Sequence, residues 1–269
     1  MDGDAFLDIL DEVIASETAG LHEPAFEGSE AAYLQECIDT GWVSSAGAFV
    51  DRFEDELAAY TGHQRAIAVI NGTAALHVAL RLAGARPGTE VLVPSLTFVA
   101  TANAVAYCGA TPHFVDCEPH SLGMDPDLLE EHLESIGEWD GEALRNGETG
   151  RVIQALVPVH VFGHPPRMAR LAEIAERFGI TLIEDAAAAL GSRYRFRHVG
   201  HHGTAAVVSF NGNKTITTGG GGALLTSNPE FADRARHLTT TAKRSDSYAY
   251  HHDRVGYNYR MPNVNAALG

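Results

Sequence analysis

Residues 66–82 read AIAVINGTAALHVALRL, and this stretch decides the fold. Its first part, Ala66–Ile70, is a short apolar run that predicts a buried strand. The small residues NGTAA follow at 71–75, and Thr73–Leu82 has the periodicity of a helix. A strand that turns directly into a helix is half of a βαβ unit, so the stretch indicates an α/β protein with a parallel sheet.

The same alternation continues along the chain and predicts an α/β fold with a mostly parallel, seven-stranded sheet and helices on both faces. The other predicted strands are 90–94, 111–116, 152–161, 180–185, 205–210 and 222–226. The other predicted helices are 53–60, 100–107, 126–136, 166–178, 229–238 and 262–268. Residues 138–150 are polar and rich in glycine, which favours a surface excursion.

Three segments are expected. Residues 1–50 form an N-terminal arm with its own helices, and residues 51–260 form the large domain. Residues 261–269 begin a helix that we expect to lead to a C-terminal domain absent from this chain.

Composition excludes several classes of function. With 19 Lys+Arg against 35 Asp+Glu, the net charge is −16, which argues against nucleic-acid binding. No apolar run has the ~20 residues of a membrane helix, and the acidic N-terminus lacks the features of a signal peptide, so a cytoplasmic location is the default expectation. Cys37, Cys108 and Cys117 form no CxxC pair. The side chains within each of the adjacent pairs His201–His202 and His251–His252 would not share a helix face, so we expect no metal site.

Lysine is scarce. Lys214 and Lys243 are the only two in the chain, and the other seventeen cations are arginines. This pattern fits either adaptation to high salt or a GC-rich coding sequence. Chemistry that requires an amine therefore has two candidates.

Three features indicate where the chemistry lies. The NGTAA turn leaves backbone N–H groups at a helix N-terminus, which suits a phosphate. Asp185 ends a buried strand, where ligands of open α/β sheets bind, and it could face a cationic ring nitrogen. Lys214 lies in a glycine- and threonine-rich turn between two strands, where a lysine held close to the sheet could form a Schiff base.

A phosphate site, a carboxylate for a ring nitrogen and an amine together match the requirements of pyridoxal phosphate. Competing motifs are absent, because the chain has no GxGxxG after a strand, no GxxxxGK[ST] and no GxSxG.

The sequence resembles the DegT/DnrJ/EryC1/StrS family of nucleotide-sugar aminotransferases from Gly41 to Gly269. The matching stretches are GWVSSAGAFVDRFEDELAAYTG, AVINGTAALHVAL, EVLVPSLTFVATANAVAYCGATPHFVD, VPVHVFGHP, LIEDAAAALGS, SFNGNKTITTGGGG and VGYNYRMPNVNAALG. This resemblance implies the large domain of the aspartate-aminotransferase fold (fold type I of pyridoxal-phosphate enzymes) and pyridoxal 5′-phosphate as the cofactor.

The resemblance also implies roles for single residues. Lys214 would be the catalytic lysine that forms the Schiff base, and Asp185 would pair with the ring nitrogen. The other implied cofactor-binding residues are Gly72, Thr73 and Ser209 at the phosphate, Phe98 on the ring face, Ala188 near the ring, and Asn258 at the phosphate of a neighbouring subunit. His160 and Arg260 are the candidates for binding substrate. A homodimer with shared active sites follows as an expectation.

The implied reaction is transamination of a nucleotide-linked 4-keto-6-deoxy sugar by an amino-acid donor, with glutamate expected. LTTTAK, GYNYRMPN and the glycines after the lysine turn are similar to the legionaminic-acid and bacillosamine subgroup. They favour a UDP-linked 4-keto-6-deoxy-N-acetylhexosamine, used for surface polysaccharide or nonulosonic acid. A GDP-linked sugar, a 3-keto sugar, and a truncated fragment that binds cofactor without turnover remain as alternatives.

Two departures from the family pattern stand out. Relatives usually carry Gln, Glu or His three residues after the ring-nitrogen carboxylate, where this chain has Ala188. Relatives also continue into a small C-terminal domain that helps to close the site.

Overall fold

The computed structural model describes residues 3–14, 22–244 and 249–269. Its helices are α1 (Gly3–Val13), α2 (Glu30–Thr40), α3 (Ala48–Thr61), α4 (Gly72–Leu82), α5 (Val99–Tyr107), α6 (Pro126–Ile136), α7 (Met168–Arg177), α8 (Pro229–Thr239) and α9 (Asn263–Leu268). Its strands are β1 (Arg65–Val69), β2 (Thr89–Pro94), β3 (Thr111–Val115), β4 (Gly137–Trp139), β5 (Leu144–Asn146), β6 (Val152–Leu156), β7 (Thr181–Asp185), β8 (Arg193–Tyr194), β9 (Arg197–His198), β10 (Ala205–Ser209) and β11 (Gly222–Thr226).

The central sheet has the strand order β1-β11-β10-β7-β6-β2-β3. The β10, β7, β6, β2 and β3 strands pair in parallel, and β11 is antiparallel to both of its neighbours, β1 and β10. The β1 strand therefore runs in the same direction as β10, and six of these seven strands share one direction. The predicted α/β class with a mostly parallel sheet is confirmed.

Helices cover both faces of the sheet because its strands are apolar on both sides. Ile67 and Val69 of β1 pack into a core with α4, α5 and α8, whereas Ala66 and Ala68 face α3 and α9. Further along the same face as α3, the α6 and α7 helices pack on Leu92 and other residues of β2, β6 and β7. The alternation follows from the two-residue period of a strand.

The surface excursion predicted at 138–150 contains two short strands. The β4 and β5 strands form an antiparallel hairpin, and β5 pairs with β6 through Arg145 and Val152. Side chains of this segment also reach the buried carboxylate of Glu90 in β2, since Asn146 Nδ2 donates to it over 3.0 Å and Thr149 Oγ1 over 2.6 Å. The segment thus extends the sheet rather than leaving it.

The α3 helix begins five residues earlier than predicted because a distant residue caps it. Asn263, the first residue of α9, accepts hydrogen bonds at Oδ1 from the backbone N–H groups of Phe49 (3.0 Å) and Val50 (3.3 Å). Its Nδ2 donates to the carbonyl of Trp42 over 2.7 Å and contacts the buried Cys37 of α2. The α2, α3 and α9 helices are therefore joined at Asn263.

The boundary at residue 50 between the N-terminal arm and the large domain stays a prediction. Part of that arm lies outside the described residues.

Candidate active site

A cleft of about 1350 Å³ lies where the strands that share one direction end. Its walls come from the segments that follow β1, β2, β6, β7 and β10, and from residues 22–26 near the N-terminus. Ligands of open α/β sheets bind at this edge.

Most of the predicted site residues line this one cleft. They are Gly72, Thr73, Phe98, His160, Asp185, Ala188, Ser209 and Lys214. The residues that the sequence suggested separately are thus brought together, although the roles assigned to them stay predictions.

The first wall is the N-terminus of α4. Asn71 caps the helix, because its Oδ1 accepts a hydrogen bond of 2.8 Å from the N–H of Ala74. Other N–H groups of the first turn have no acceptor within the helix, which makes this end a site for an anion. Gly72 packs on the end of β10, where an added Cβ would lie 3.1 Å from the Cβ and 3.4 Å from the Oγ of Ser209. A side chain at position 72 would therefore press against Ser209, which also lines the cleft.

The second wall is the carboxylate of Asp185, at the end of β7. Asp185 is only 5% exposed. Its Oδ2 accepts a hydrogen bond of 2.7 Å from the hydroxyl of Thr101, and its Oδ1 accepts one of 3.2 Å from the N–H of Ala187. Burial raises the pKa of Asp185, although these two hydrogen bonds oppose the shift. The carboxylate forms no ion pair with any residue in the described ranges, so a cation in the cleft would complete it.

The third wall carries Lys214, in the loop between β10 and β11. Backbone hydrogen bonds close the base of this loop: the N–H of Thr218 donates to Phe210 over 3.0 Å, and the N–H of Phe210 donates to Gly221 over 2.9 Å. Lys214 is half-buried. Among the described residues that line the cleft it is the only lysine or arginine. Lys243, the other lysine, lies elsewhere, with its Nζ 4.0 Å from the ring centre of Tyr250.

Phe98 immediately precedes α5 and is 75% exposed, with its side chain on the cleft. A large aromatic ring at that exposure offers a face on which a planar ligand can stack.

His160 is buried at the back of the cleft and contacts Glu184, the residue before Asp185. Its Nε2 lies 3.0 Å from Oε2 of Glu184. Backbone N–H groups also donate to this carboxylate, that of Gly200 to Oε2 and those of His202 and Gly203 to Oε1. Burial alone would raise the pKa of Glu184, but these donors hold that pKa below its usual value. An ionised Glu184 accepts the Nε2–H of His160, and Nδ1 of the same ring has no hydrogen-bond partner among the described residues.

Arg260 does not line the cleft. The structure buries it away from the cleft, where its Nη1 donates to Oε1 of Glu54 over 2.6 Å and to the carbonyl of Ala68 over 2.9 Å. Arg236 also contacts Glu54. The arginine therefore joins α3 with β1, and its expected role in substrate binding stays a prediction.

Asn258 is exposed and does not line the cleft of its own chain. It forms an isolated bridge with Thr240, two residues from the buried Arg260. Its expected contact with the cofactor of another subunit stays a prediction.

Sequence reasoning missed Thr97, Thr101 and Glu184. Thr97 and Thr101 lie in a stretch without turn or charge signals, and only the fold brings Thr101 against Asp185. Glu184 is adjacent to Asp185, but the sequence around a carboxylate inside a strand gives no sign of which groups will surround it.

No group of three His, Cys, Asp or Glu side chains in the described ranges is arranged for a metal ion, and none of the described helices is long and apolar enough to cross a membrane.

Comparison with known proteins gives a consistent set of matches. The model of the DegT/DnrJ/EryC1/StrS aminotransferase family matches residues 24–269. The GDP-perosamine synthase of Caulobacter vibrioides is 43% identical over 246 residues, which cover 91% of this chain and 62% of that protein. The putative pyridoxal phosphate-dependent aminotransferase EpsN of Bacillus subtilis is 39% identical over 249 residues, which cover 93% of this chain and 61% of that protein.

A solved structure agrees with these matches. The crystal structure of a DegT DnrJ EryC1 StrS aminotransferase from Brucella abortus superposes with a TM-score of 0.80 at 34% identity, over 89% of this chain and 61% of that one. The chain thus spans less than two thirds of the length of each of these three proteins.

Proposed function

Because the chain belongs to the DegT/DnrJ/EryC1/StrS aminotransferase family, we propose that it is a pyridoxal-phosphate-dependent aminotransferase that acts on a nucleotide-linked keto sugar. The observation that carries the proposal is the buried carboxylate of Asp185, which has no cationic partner among the described residues and lines the same cleft as Lys214. The family supports the reaction class, and this arrangement supports the residues that we propose to perform it.

The cleft fits pyridoxal phosphate at each end of the molecule. The phosphate would bind at the N-terminus of α4, beside Gly72, Thr73 and Ser209, where a side chain at position 72 would fill the space. The protonated ring nitrogen would supply the cation that Asp185 lacks. Phe98 would cover one face of the ring, and Lys214 would hold the cofactor covalently.

When bound, the cofactor supplies an electron sink for a carbanion at the donor Cα. Lys214 would hold the cofactor, and its Nζ, once free, would move the proton of the donor Cα. Asp185 holds a proton on the ring nitrogen throughout, which keeps the ring electron-poor. Phe98 excludes water from the face that it covers.

For the acceptor we propose a GDP-linked 4-keto-6-deoxy sugar in place of the UDP-linked N-acetylhexosamine that the sequence favoured. The support is the name of the Caulobacter relative, GDP-perosamine synthase. With Arg260 committed to Glu54, no arginine of the described residues lines the cleft to bind a diphosphate. The donor proposed is glutamate. A homodimer, with Asn258 reaching the second subunit's cofactor, remains part of the proposal.

The test is a two-step spectroscopic experiment. Addition of pyridoxal phosphate to the protein should produce the imine absorbance band, and glutamate should then abolish it. A GDP-linked 4-keto-6-deoxy sugar added to the amine form should then restore the band, whereas the UDP-linked sugar should not. A band that glutamate leaves unchanged would mean a cofactor-binding protein without transamination, and restoration by the UDP sugar alone would contradict the GDP assignment.

A further inference from the structure

Asp185 is bound by a hydroxyl that no role yet explains. Thr101 of α5 is 1% exposed, and its Oγ1 lies 2.7 Å from Oδ2 of Asp185. Of the two hydrogen bonds that described residues donate to this carboxylate it is the shorter, since the N–H of Ala187 lies 3.2 Å from Oδ1. A buried carboxylate is oriented by the donors that touch it, and Thr101 is its closest donor.

The hydroxyl of Thr101 has a second contact that fixes its direction. Thr97 Oγ1 lies 2.8 Å from Thr101 Oγ1. The single hydroxyl proton of Thr101 is donated to Asp185, so Thr101 accepts from Thr97; the Thr97 hydroxyl also lies 3.2 Å from the carbonyl of Phe98, which is its longer contact. The three groups form a chain in one direction, from Thr97 through Thr101 to Asp185. In such a chain each donor polarises the next.

This chain is built into the turn that also carries the aromatic wall. Phe98 precedes α5, and the N–H of Thr101 donates to the carbonyl of Phe98 over 3.1 Å. One helical turn therefore presents the ring of Phe98 to the cleft and the hydroxyl of Thr101 to the carboxylate. The ring face and the ring nitrogen of a bound cofactor would both be set by this turn.

We propose that Thr101 is the positioning residue that fixes Asp185 against the cofactor's ring nitrogen, and that Thr97 orients the Thr101 hydroxyl. The inference rests on the proposed function, since it needs the cofactor in this cleft. Each oxygen of Asp185 uses one acceptor position for the protein, which leaves a free position for a ring N–H. Burial raises the pKa of Asp185, and loss of the Thr101 hydroxyl would raise it further, which favours a neutral carboxyl that no longer pairs with a charged ring.

The experiment measures the affinity of the cofactor-free protein for two ligands. One is pyridoxal phosphate, and the other is its carbocyclic analogue with CH in place of the ring nitrogen. Thr101→Val keeps the shape and removes the hydroxyl, whereas Thr101→Ser keeps the hydroxyl. Hydrogen bonds to charged groups predict that Thr101→Val weakens pyridoxal phosphate about tenfold or more and the analogue less than about twofold. Thr101→Ser should restore most of the affinity.

Equal weakening of both ligands by Thr101→Val would mean a merely structural role and would overturn the proposal, as would no weakening of either. If Thr101→Val fails to fold, Thr97→Val provides the test, because Thr97 is only partly buried. It should weaken pyridoxal phosphate alone, by roughly three- to tenfold, and an equal effect on the analogue would overturn the proposal. Wild-type protein that binds neither ligand would instead overturn the proposed function.

Discussion

A Cβ placed on Gly222 would lie 2.5 Å from the backbone nitrogen of Gly72. Gly222 begins β11, and Gly72 begins the helix whose N-terminus forms the first wall of the cleft. The same Cβ would lie 2.5 Å from the carbonyl carbon of Asn71, so backbone rather than a flexible side chain would have to move. The glycine-rich segment after Lys214 therefore determines where the α4 N-terminus can rest.

Gly222→Ala should displace that N-terminus. Overpacking of this kind costs about 1–3 kcal/mol, and we expect the free energy of unfolding in urea to fall by that amount, together with weaker binding of pyridoxal phosphate. Gly220→Ala is the matched control, since a Cβ at Gly220 meets nothing within 4 Å. Equal stability and equal affinity of the two variants would show that the close approach is not required.

Lys214→Ala should abolish covalent attachment of pyridoxal phosphate. The reason is that Lys214 is the only lysine or arginine among the described residues of the cleft. Borohydride reduction of the protein with its cofactor, followed by peptide mapping, should place the label on Lys214. Lys243→Ala is the control and should retain the label, because Lys243 contacts Tyr250 instead. A label on Lys243 in the wild-type protein would contradict the assignment.

Arg260→Met should destabilise the protein rather than impair substrate binding. Removal of one partner of a buried ion pair costs about 3–5 kcal/mol, and the lower end is expected because Arg236 also contacts Glu54. Arg193→Met, at an exposed position, should change the unfolding free energy by less than about 0.5 kcal/mol. A variant of Arg260 with unchanged stability and a greatly raised KM for the sugar would restore the substrate role.

Glu90 gives a prediction about pH. Burial opposes its ionisation, but hydrogen bonds lower its pKa to about 2. The donors are His113, Thr149, Asn146 and Arg151. The folded pKa lies below the unfolded value of 4.5, so this stabilisation is complete above pH 4.5 and is lost as the pH falls toward 2.

Glu90→Gln should therefore reduce the unfolding free energy by roughly 3 kcal/mol at pH 7, and the difference from wild type should shrink only below about pH 4.5. Glu131→Gln, on the exposed face of α6, is the control and should stay close to wild type at each pH. A difference that is independent of pH from 7 to 3 would contradict the role assigned to the ionised carboxylate.

Local pattern was sufficient to predict most of the fold. The strand at 222–226 and the helix at 126–136 were predicted with their observed bounds, because Asp125 caps the helix, Pro126 begins it, and the strand is buried along its whole length. The start of α3 was not predictable, since its cap is Asn263, more than 200 residues away. The β4–β5 hairpin was missed because its polar side chains are held by Glu90 of another strand.

The same contrast holds in the site. Gly72, Asp185 and Lys214 were found because turns and strand ends place them at one edge of a parallel sheet. The pairing of Arg260 with Glu54 was not predicted, since the position of Arg260 in its motif gives no sign of a carboxylate on α3. Thr101 was missed because its contact with Asp185 joins residues 84 positions apart.

Ala188 lines the cleft three residues after Asp185 and is exposed. Alanine offers no hydrogen bond to a ring substituent of the cofactor. One hydrogen bond contributes roughly 0.5–1.5 kcal/mol, so Ala188→Gln should slow dissociation of pyridoxal phosphate in dialysis about three- to tenfold and leave the reaction type unchanged. Ala188→Leu adds comparable bulk without a donor and should not slow it. If both variants loosen the cofactor, this part of the cleft requires a small residue, and Ala188 does not occupy the position of the polar side chain in relatives.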